Sequence, residues 1–561
     1  MLLYLCRMRK GKIIISVLLL CAAGVALMST KVTDRNFEIS RNLEIFHNIF
    51  RDVDMFYVDT VDVEKMLNKG IDAMLATLDP YTEYYPESAE EDLKMMTTGK
   101  YAGIGALIRQ YPKNDYVAIA EPYEGMPADI SGVKAGDLIL RIDGEDMKGK
   151  TTSYVSDHLR GEPASEFVLT VRRVGVADSL DIRIKRANIA LPSVPYYGMW
   201  KGTGYILLES FTENCSKDVR KALLELEAEG ATSVVLDLRD NGGGLLNEAI
   251  EIVSLFVPKG TLVVETKGKT RSASGSYTTR RDPVNTEIPL VVMINGNSAS
   301  ASEIVSGSLQ DLDRAVVVGS RSYGKGLVQT TRSLPFNGTI KVTTAKYYIP
   351  SGRCIQEVDY SKRDRNGKAE RTPDSLAHVF KTKAGREVKD GGGIRPDVSC
   401  PVDTLADLVY YLSTDVLLFD YVNDFCSRNG GIEPVDEFCV SDSLYGSFKE
   451  YVGKSDFDYK SRSSQALAAI RDIAKVEGLY ANAVAEFDSL EAKLQYNVER
   501  DLDTFKDDVI SLLGTEIVSR YYYEHGVIRY NMRNDAALDT AISVLGDSRR
   551  YRDILSVSKP N

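Results

Sequence analysis

Apolar residues recur at helical spacing between Phe37 and Leu78, and the turn-forming Asp79-Pro80-Tyr81 ends the run. The repeating apolar positions are Leu43, Phe46, Ile49, Phe50, Met66, Ile71, Met74 and Leu75. The pattern predicts a small helical region at this end of the chain.

Between Gly99 and Ala187 the pattern changes to short apolar or alternating runs separated by glycines, which predicts a compact, mainly β module. Thr152–Leu159 is the clearer of its predicted helices. The predicted strands are Ile104–Ile108, Val117–Ala120, Leu138–Ile142, Phe167–Arg172 and Leu180–Ile184.

From Gly204 onward, buried-strand patterns alternate with amphipathic helical patterns. The predicted order is strand Tyr205–Leu208, helix Lys217–Glu229, strand Ser233–Leu238, helix Leu245–Phe256, strand Leu290–Ile294, helix Ser302–Asp311 and strand Ala315–Val318. This alternation predicts a largely parallel sheet covered by helices. Functional residues in such sheets lie beyond the carboxyl ends of the strands.

The last third of the chain carries two different patterns. Tyr360–Lys389 is charged and holds little that could be buried, so it predicts an exposed loop. No proline occurs between Pro434 and Pro560, and helical periodicity is strong. The periodic segments, which predict a C-terminal helical domain, are Ser464–Ile473, Ala481–Leu494 and Leu502–Leu513.

The N-terminus carries a basic flank, with lysines and arginines at positions 7, 9, 10 and 12, before the apolar run Ile13–Met28. This combination indicates an export signal or a single membrane anchor. Either device places the rest of the chain outside the cytoplasm, in the periplasm or anchored to the outer side of the inner membrane. Cleavage and retention of the leader both stay open.

The amino-acid composition excludes several classes of function for this chain. Apolar residues make up 43% and charged residues 27% of the 561, as in ordinary globular protein, and the length predicts several domains. A net charge of −11 argues against nucleic-acid binding. Five of the seven cysteines follow the leader, widely spread and without C-x-x-C, so neither a disulfide framework nor a zinc site is expected. Cys426 and Cys439 could still pair in an oxidising compartment.

Serines alternate along Ser298-Ala-Ser-Ala-Ser302, at a predicted passage from strand to helix. Ser300-x-x-Glu303 fits a capping box, in which the serine only closes the helix N-terminus. The same position can hold an exposed nucleophilic hydroxyl beside free backbone N–H groups and the positive end of the helix dipole. The serines alone do not decide between these interpretations.

A nucleophilic serine needs a base, and no histidine lies between His158 and His378. Lys325, between Gly324 and Gly326, could replace it if burial lowered its pKa from the usual value of about 10.4. Gln329, four residues on, would lie on the same face and orient the amine. In isolation, Gly-Lys-Gly favours an exposed turn lysine over a buried base. A phosphate-binding loop is only a near miss, because Gly326 stands where a hydroxyl residue is needed.

Three segments together resemble the carboxyl-terminal processing peptidases, also called tail-specific proteases: Ser298–Glu303, Leu309-Gln-Asp311 and Tyr323–Gln329. In that family the nucleophile precedes the Gly-Lys-Gly lysine by 25 residues, which is the position of Ser300. The resemblance implies Ser300 as nucleophile, Lys325 as general base and Gln329 as the residue that orients Lys325.

Leu236–Leu246, with its Asp-Asn-Gly-Gly-Gly, is similar to the family's oxyanion loop, and Thr344–Gln356 and Gly393–Asp397 resemble further family segments. The resemblance implies that the N–H groups of Gly244 and Ala301 bind the oxyanion, and that the core has a crotonase-like α/β fold. A flexible turn is the alternative interpretation of the glycine run.

The β module resembles a PDZ domain through Tyr101–Ala106 and Val133–Gly144. The resemblance implies that the backbone amides of Gly103, Ile104, Gly105 and Ala106 hold the carboxylate of a substrate C-terminus.

The expected organisation is a leader (1–30), an N-terminal helical region (31–96), a PDZ domain (97–188), a serine peptidase core (189–402) and a C-terminal helical domain (403–561). The expected function is that of an exported endopeptidase acting on proteins with exposed C-termini, without metal or cofactor. The helical domain offers a surface for self-association. The alternative is a non-catalytic PDZ scaffold in the cell envelope.

Overall fold

The computed structural model describes residues 35–364, 367–401, 406–459, 462–494 and 497–556. These residues form two compact units, divided between Tyr84 and Tyr85. The first unit is helical over residues 35–56 and Val63–Ala76, as predicted, and a short strand, Glu83–Tyr85, spans the division. The predicted leader lies outside the described residues. Within the described ranges, no helix combines the length and apolar character needed to cross a membrane.

The second unit begins with the helix Glu90–Thr98 and the mainly β module. Its antiparallel sheet has the strand order Ala106–Tyr111, Tyr116–Pro122, Leu138–Ile142, Glu166–Arg172, Leu180–Lys185, with Glu145–Asp146 added to the third strand. Lys100–Gly103 pairs separately with Ala187–Ala190. The helix Thr152–Leu159 has the predicted bounds, and Pro127–Ile130 adds one turn.

The core sheet has six strands and is parallel apart from its first pair. The strand order is Tyr196–Trp200, Thr203–Leu207, Val234–Asp237, Leu290–Ile294, Val316–Gly319 and Val398–Ser399. The helices Cys215–Ala228, Leu246–Ser254 and Ala301–Asp311 cover one face. The predicted alternation of strands and helices is therefore confirmed.

A second, antiparallel sheet, not foreseen from the sequence, joins the core. Its strands are Leu262–Gly268, Gly275–Thr278, Leu327–Ser333 and Thr339–Tyr348. Residues 360–389 are mostly exposed, as predicted, but the expectation that they form a loop is wrong. Val358–Arg363 pairs with Ala369–Arg371, and Val379–Lys381 pairs with Glu387–Lys389. Cross-strand hydrogen bonds satisfy the backbone there, so these hairpins form with few apolar residues.

The C-terminal region is helical, as predicted, but the expected helix over 502–513 is interrupted at Phe505 (φ −106°, ψ 29°). The helices are Asp407–Thr414, Val416–Arg428, Asp442–Gly453, Arg462–Val476, Val484–Leu494, Val498–Thr504, Lys506–Asn531, Ala536–Gly546 and Ser548–Leu555. All five cysteines of the described chain are free, including Cys426 and Cys439.

The helical region covers the second face of the core sheet. Alternate residues of each strand point to opposite faces, so Val291 and Met293 lie on the face away from the helices of the core. Leu538, Ala541 and Val544 of the helix Ala536–Gly546 cover that second face. The same region also contacts the β module, where Tyr111 and Lys113 both reach Asp420, at 3.0 and 2.6 Å.

Candidate active site

Ser300 lies where the buried strand Leu290–Ile294 passes, through a tight turn, into the helix Ala301–Asp311. Its backbone has φ 56° and ψ −111°, a conformation that L-residues rarely adopt. The neighbours Ala299 and Ala301 are buried, whereas Ser300 is partly exposed. The fold thus holds a strained turn that presents one hydroxyl at the carboxyl end of the sheet.

The two neighbouring serines have structural roles. The Ser298 hydroxyl donates to the Leu238 carbonyl at 2.8 Å, and the Ser302 hydroxyl donates to the Asn241 carbonyl at 2.8 Å. Both side chains are fully buried. They tie the start of the helix to the segment that follows the strand Val234–Asp237, which leaves Ser300 as the serine of the run with an accessible side chain.

Glu303 holds Ser300 and the lysine segment together. Its fully buried carboxylate accepts the predicted capping-box bond from the Ser300 N–H at 2.8 Å. It also accepts from the Lys325 N–H at 2.9 Å. Two further donors, the Gly324 N–H and the Ser322 hydroxyl, lie at 2.7 and 2.6 Å. Four donors on one carboxylate make this contact charge-assisted and geometrically specific.

Two opposing effects set the protonation of Glu303. Burial raises its pKa to about 7, while the four hydrogen bonds act in the other direction. The ionised form is the one that accepts from all four donors at once.

Tyr347 bridges the same two residues from the other side. Its hydroxyl lies 2.6 Å from the Lys325 carbonyl, to which it donates, and 3.2 Å from the Ser300 carbonyl. The ring is buried in the core, 1% exposed. Tyr347 lies on the second sheet, so no local pattern indicated this contact.

The glycines beside Lys325 allow the close approach that the sequence predicted. A Cβ on Gly324 (φ +88°) would lie 2.7 Å from the Glu357 Cβ, and one on Gly326 would lie 2.8 Å from the Gln356 nitrogen. Gln329 follows on the strand Leu327–Ser333, and its side-chain amide donates to the Thr343 hydroxyl at 3.1 Å. That bond leaves the Gln329 carbonyl oxygen as the group suited to accept from a lysine, and the orienting role stays a prediction.

The segment Arg239–Leu245, called the glycine loop below, packs directly against Ser300. A Cβ on Gly243 (φ +101°) would lie 2.8 Å from the Ser300 Cβ and 3.0 Å from the Ala301 nitrogen. Gly244 (φ +144°) forms a parallel bridge with Phe211. Among the described residues, none accepts a hydrogen bond from the N–H of Gly244 or of Ala301. Both predicted oxyanion donors are therefore available.

A buried ion pair lies at the far end of the helix Ala301–Asp311. Arg353 and Asp311, 1% and 0% exposed, are 2.8 Å apart, and Arg353 also donates to Gln310 at 2.8 Å. Gln310 in turn donates to Asp397 at 3.0 Å. The remaining segments that resemble the family thus meet in one network that fixes this helix.

The predicted carboxylate loop of the β module connects two strands. Gly103 ends the strand Lys100–Gly103 and Ala106 begins the next; Gly105 has φ +70°. The carbonyls of Ile104 and Gly105 accept from Ala128 and Tyr123, at 2.8 and 2.9 Å. These bonds hold the loop in place through its carbonyl groups.

Tyr101 lies over this loop. A Cβ on Gly103 would be 2.9 Å from its ring. Burial raises the pKa of Tyr101, while the nearby Arg160 and hydrogen bonds from the Gly105 and Ala106 amides oppose that rise. The Tyr101 side chain therefore lies beside the amides expected to bind a terminal carboxylate.

Within the described ranges, no group of three or more His, Cys, Asp or Glu side chains is arranged to hold a metal ion.

Three parts of the chain match known protein families. Residues 202–361 match peptidase family S41, residues 119–173 match the PDZ domain, and residues 408–545 match the C-terminal helical domain of probable PDZ-proteases. The β module and the C-terminal helices are thus the PDZ domain and the helical domain that the sequence predicted.

The chain is also similar to individual proteins. The chain is 36% identical, over 342 residues, to a carboxy-terminal-processing protease of Bartonella bacilliformis, covering 60% of this chain and 78% of that protein. It is 33% identical, over 349 residues, to a probable CtpA-like serine protease of Staphylococcus aureus, covering 62% and 68%. Among solved structures, the photosystem II D1 C-terminal processing protease matches 63% of this chain and 92% of its own, at 26% identity and a TM-score of 0.34. This chain therefore belongs to the carboxy-terminal-processing serine proteases of peptidase family S41.

Proposed function

We propose that this protein is an exported endopeptidase that binds unstructured C-terminal tails through its PDZ domain and cleaves them with a Ser300/Lys325 dyad. The observation that carries the proposal is the pair of bridges between the two residues: Glu303 accepts from both backbone N–H groups, and the Tyr347 hydroxyl contacts both carbonyls. Family membership supports peptide hydrolysis by a serine.

In the proposed reaction the Ser300 oxygen attacks the peptide carbonyl carbon while neutral Lys325 takes the hydroxyl proton. The N–H groups of Gly244 and Ala301 hold the oxyanion. The C–N bond then breaks, and the Lys325 ammonium returns the proton to the leaving amine. The same lysine then takes a proton from water, whose oxygen attacks the acyl carbon. The bond from this carbon to the Ser300 oxygen breaks, and the Lys325 ammonium returns the proton to that oxygen.

The direct test is cleavage of a peptide with a free C-terminus. Ser300→Ala should abolish cleavage while the protein still binds the peptide, and persistent cleavage would overturn the nucleophile assignment. The wild-type rate should rise with pH, with a midpoint well below about 10.4, the usual lysine value. A rate that stays flat from mildly acidic to mildly alkaline pH would exclude Lys325 as the base. The alternative, a non-catalytic scaffold, predicts no difference between wild type and Ser300→Ala.

Tail recognition is supported by the backbone amides of the loop at Gly103–Ala106. Amidating the C-terminus of the test peptide should weaken its binding to the Ser300→Ala protein. Equal binding of the acid and amide forms would exclude recognition of the terminal carboxylate.

Export rests on the basic and apolar leader pattern. Fusing residues 1–30 to a reporter that is active only outside the cytoplasm should give activity, and replacing the basic residues at positions 7–12 should reduce it. An inactive fusion would contradict export. The mass of the mature protein distinguishes a cleaved leader from a membrane anchor.

A further inference from the structure

The glycine loop begins at a buried ion pair. Asp237, the last residue of the strand Val234–Asp237, is 1% exposed and accepts from the Tyr205 hydroxyl at 2.8 Å. Arg239, the first residue of the loop, donates to Asp237 through Nε at 2.9 Å and Nη2 at 2.6 Å. A buried carboxylate needs such partners, so the Arg239 side chain is held at the end of this strand.

The second carboxylate on Arg239 comes from the helical domain. Arg239 Nη2 also donates to Asp535 Oδ2 at 2.6 Å, across 296 residues of sequence. The other oxygen of Asp535 accepts from the Leu538 N–H at 2.9 Å and caps the helix Ala536–Gly546. One side chain therefore joins the start of this helix to the start of the glycine loop.

Electrostatics rather than packing fixes Arg239 on this side. A cavity of about 620 Å³ borders Arg239 and Asp535, so the guanidinium is not enclosed by apolar side chains there. Burial lowers the pKa of Arg239, but Asp237 and Asp535 outweigh this effect and leave the pKa raised. The guanidinium stays charged and bound to both carboxylates.

Further along the loop, the contacts come from the core itself. Asp240 (φ 60°) accepts from the side-chain amides of Asn295 and Asn297, at 3.0 and 2.7 Å. The Asn241 carbonyl accepts from the Ala299 N–H at 3.0 Å and from Ser302. Within the described part of the chain, Asp535 is thus the residue through which the helical domain is hydrogen-bonded to the glycine loop.

We infer that Asp535 is a positioning residue for catalysis, which acts through Arg239 to fix the start of the glycine loop and thereby the direction of the Gly244 N–H. This role rests on the proposed function of Gly244 and Ser300. The helical domain then contributes to the active site in addition to covering the second face of the sheet.

The test compares Asp535→Asn with Asp539→Asn. Asparagine caps helices about as well as aspartate, so Asp535→Asn removes the charge facing Arg239 while keeping the helix start. Asp539 is the matched control, since it lies on the same helix and forms an exposed ion pair with Lys201 at 2.6 Å. We expect Asp535→Asn to lower kcat about tenfold with KM unchanged. The misplaced donor interacts with the substrate oxygen only in the transition state, so its loss does not affect substrate binding. Asp539→Asn should keep the wild-type kcat.

Two further variants separate positioning from folding. Asp535→Ser keeps a capping hydroxyl but is too short to reach Arg239, so it should lose kcat as Asp535→Asn does. In an Arg239→Lys background, Asp535→Asn should add little to the loss already present, because both act through one contact. Thermal unfolding of each variant shows whether it is folded.

The inference is overturned if Asp535→Asn and Asp539→Asn lower kcat equally, if Asp535→Asn changes only KM or the unfolding temperature, or if it changes nothing. Ser300→Ala in the same assay reports on the nucleophile alone. Its retained cleavage would refute the proposed function, whereas its loss together with an unaffected Asp535→Asn would refute only the role of Asp535.

Discussion

The backbone N–H groups of Ser300 and Lys325 donate to one and the same atom, Oε2 of Glu303, at 2.8 and 2.9 Å. The proposed nucleophile and base are 25 residues apart in sequence, yet a single carboxylate oxygen fixes their backbones relative to each other. Glu303, which the sequence indicates only as a capping-box residue, therefore aligns the proposed nucleophile with the proposed base.

Replacing Glu303 with Gln should misalign the dyad. An amide group in place of one carboxylate oxygen leaves two of the four donors without an acceptor, at a cost of about 1–3 kcal/mol each. We expect kcat to fall by about 100-fold with little change in KM, since a small displacement of reacting groups has an effect of this size. Steady-state kinetics and urea unfolding measure the two effects.

Glu248→Gln is the matched control for this substitution. Glu248 is a partly buried carboxylate that accepts from the Ser216 N–H at 3.0 Å rather than from the Ser300 or Lys325 backbone. It should lose stability without losing kcat. Equal effects of the two variants on kcat would show that Glu303 acts on stability alone.

The strained backbone of Ser300 makes a second prediction. At φ 56° and ψ −111°, an L-residue costs about 1–3 kcal/mol that glycine largely avoids. Ser300→Gly should therefore be more stable than Ser300→Ala by about 1 kcal/mol in urea unfolding, although both should be inactive.

Ser298 provides the comparison, because it is not among the residues with positive φ. There the order should reverse, with Ser298→Ala more stable than Ser298→Gly. The same order at both positions would mean that the turn at Ser300 stores no strain.

The sequence predicted the parts of the fold and site that depend on local pattern. Apolar runs located the four central strands of the core sheet but not its edge strands Tyr196–Trp200 and Val398–Ser399, and Gly324 and Gly326 indicated a lysine held in close contact. One of the four hydrogen bonds to Glu303 followed from the capping-box spacing. The other three depend on how residues 322–325 fold back onto the helix, which no local pattern encodes.

Long-range contacts account for what was missed. Tyr347 reaches Ser300 and Lys325 only through the pairing register of the strand Thr339–Tyr348. Asp535 reaches Arg239 because the helix Ala536–Gly546 covers the second face of the sheet. The hairpins between 358 and 389 formed without an apolar pattern, so periodicity could not reveal them.

Three carboxyl groups, one from each domain of the second unit, predict a pH-dependent stability. Glu121 of the PDZ domain and Glu209 of the core both have their pKa raised to about 7, first by burial and then by Glu524 of the helical domain. Burial also raises the pKa of Glu524. Glu516 adds to the rise at Glu121, and Arg520 opposes it.

The sign follows from proton binding. Because the folded pKa of about 7 exceeds the ordinary 4.5, the folded state binds more protons between these values, and the free energy of unfolding falls as pH rises through this window. Thermal unfolding should occur at a lower temperature at pH 8 than at pH 5. Glu209→Gln should reduce that difference, whereas the exposed control Glu229→Gln should not. If the unfolding temperatures at pH 5 and pH 8 differ as much in Glu209→Gln as in the wild type, the Glu209 carboxyl does not contribute to the pH dependence.

Tyr101 makes a prediction about tail binding. Its ring lies over Gly103, and the Gly105 and Ala106 amides oppose the rise of its pKa, so we expect its hydroxyl to compete with a substrate carboxylate for these amides. Tyr101→Phe keeps the ring over Gly103 and removes this competitor. In a Ser300→Ala background, a fluorescent C-terminal peptide should therefore bind several-fold more tightly to Tyr101→Phe, as measured by anisotropy. Tyr116→Phe, at the start of the strand Tyr116–Pro122, controls for the loss of a hydroxyl elsewhere in the domain. Weaker binding to Tyr101→Phe would instead indicate that the Tyr101 hydroxyl takes part in holding the carboxylate.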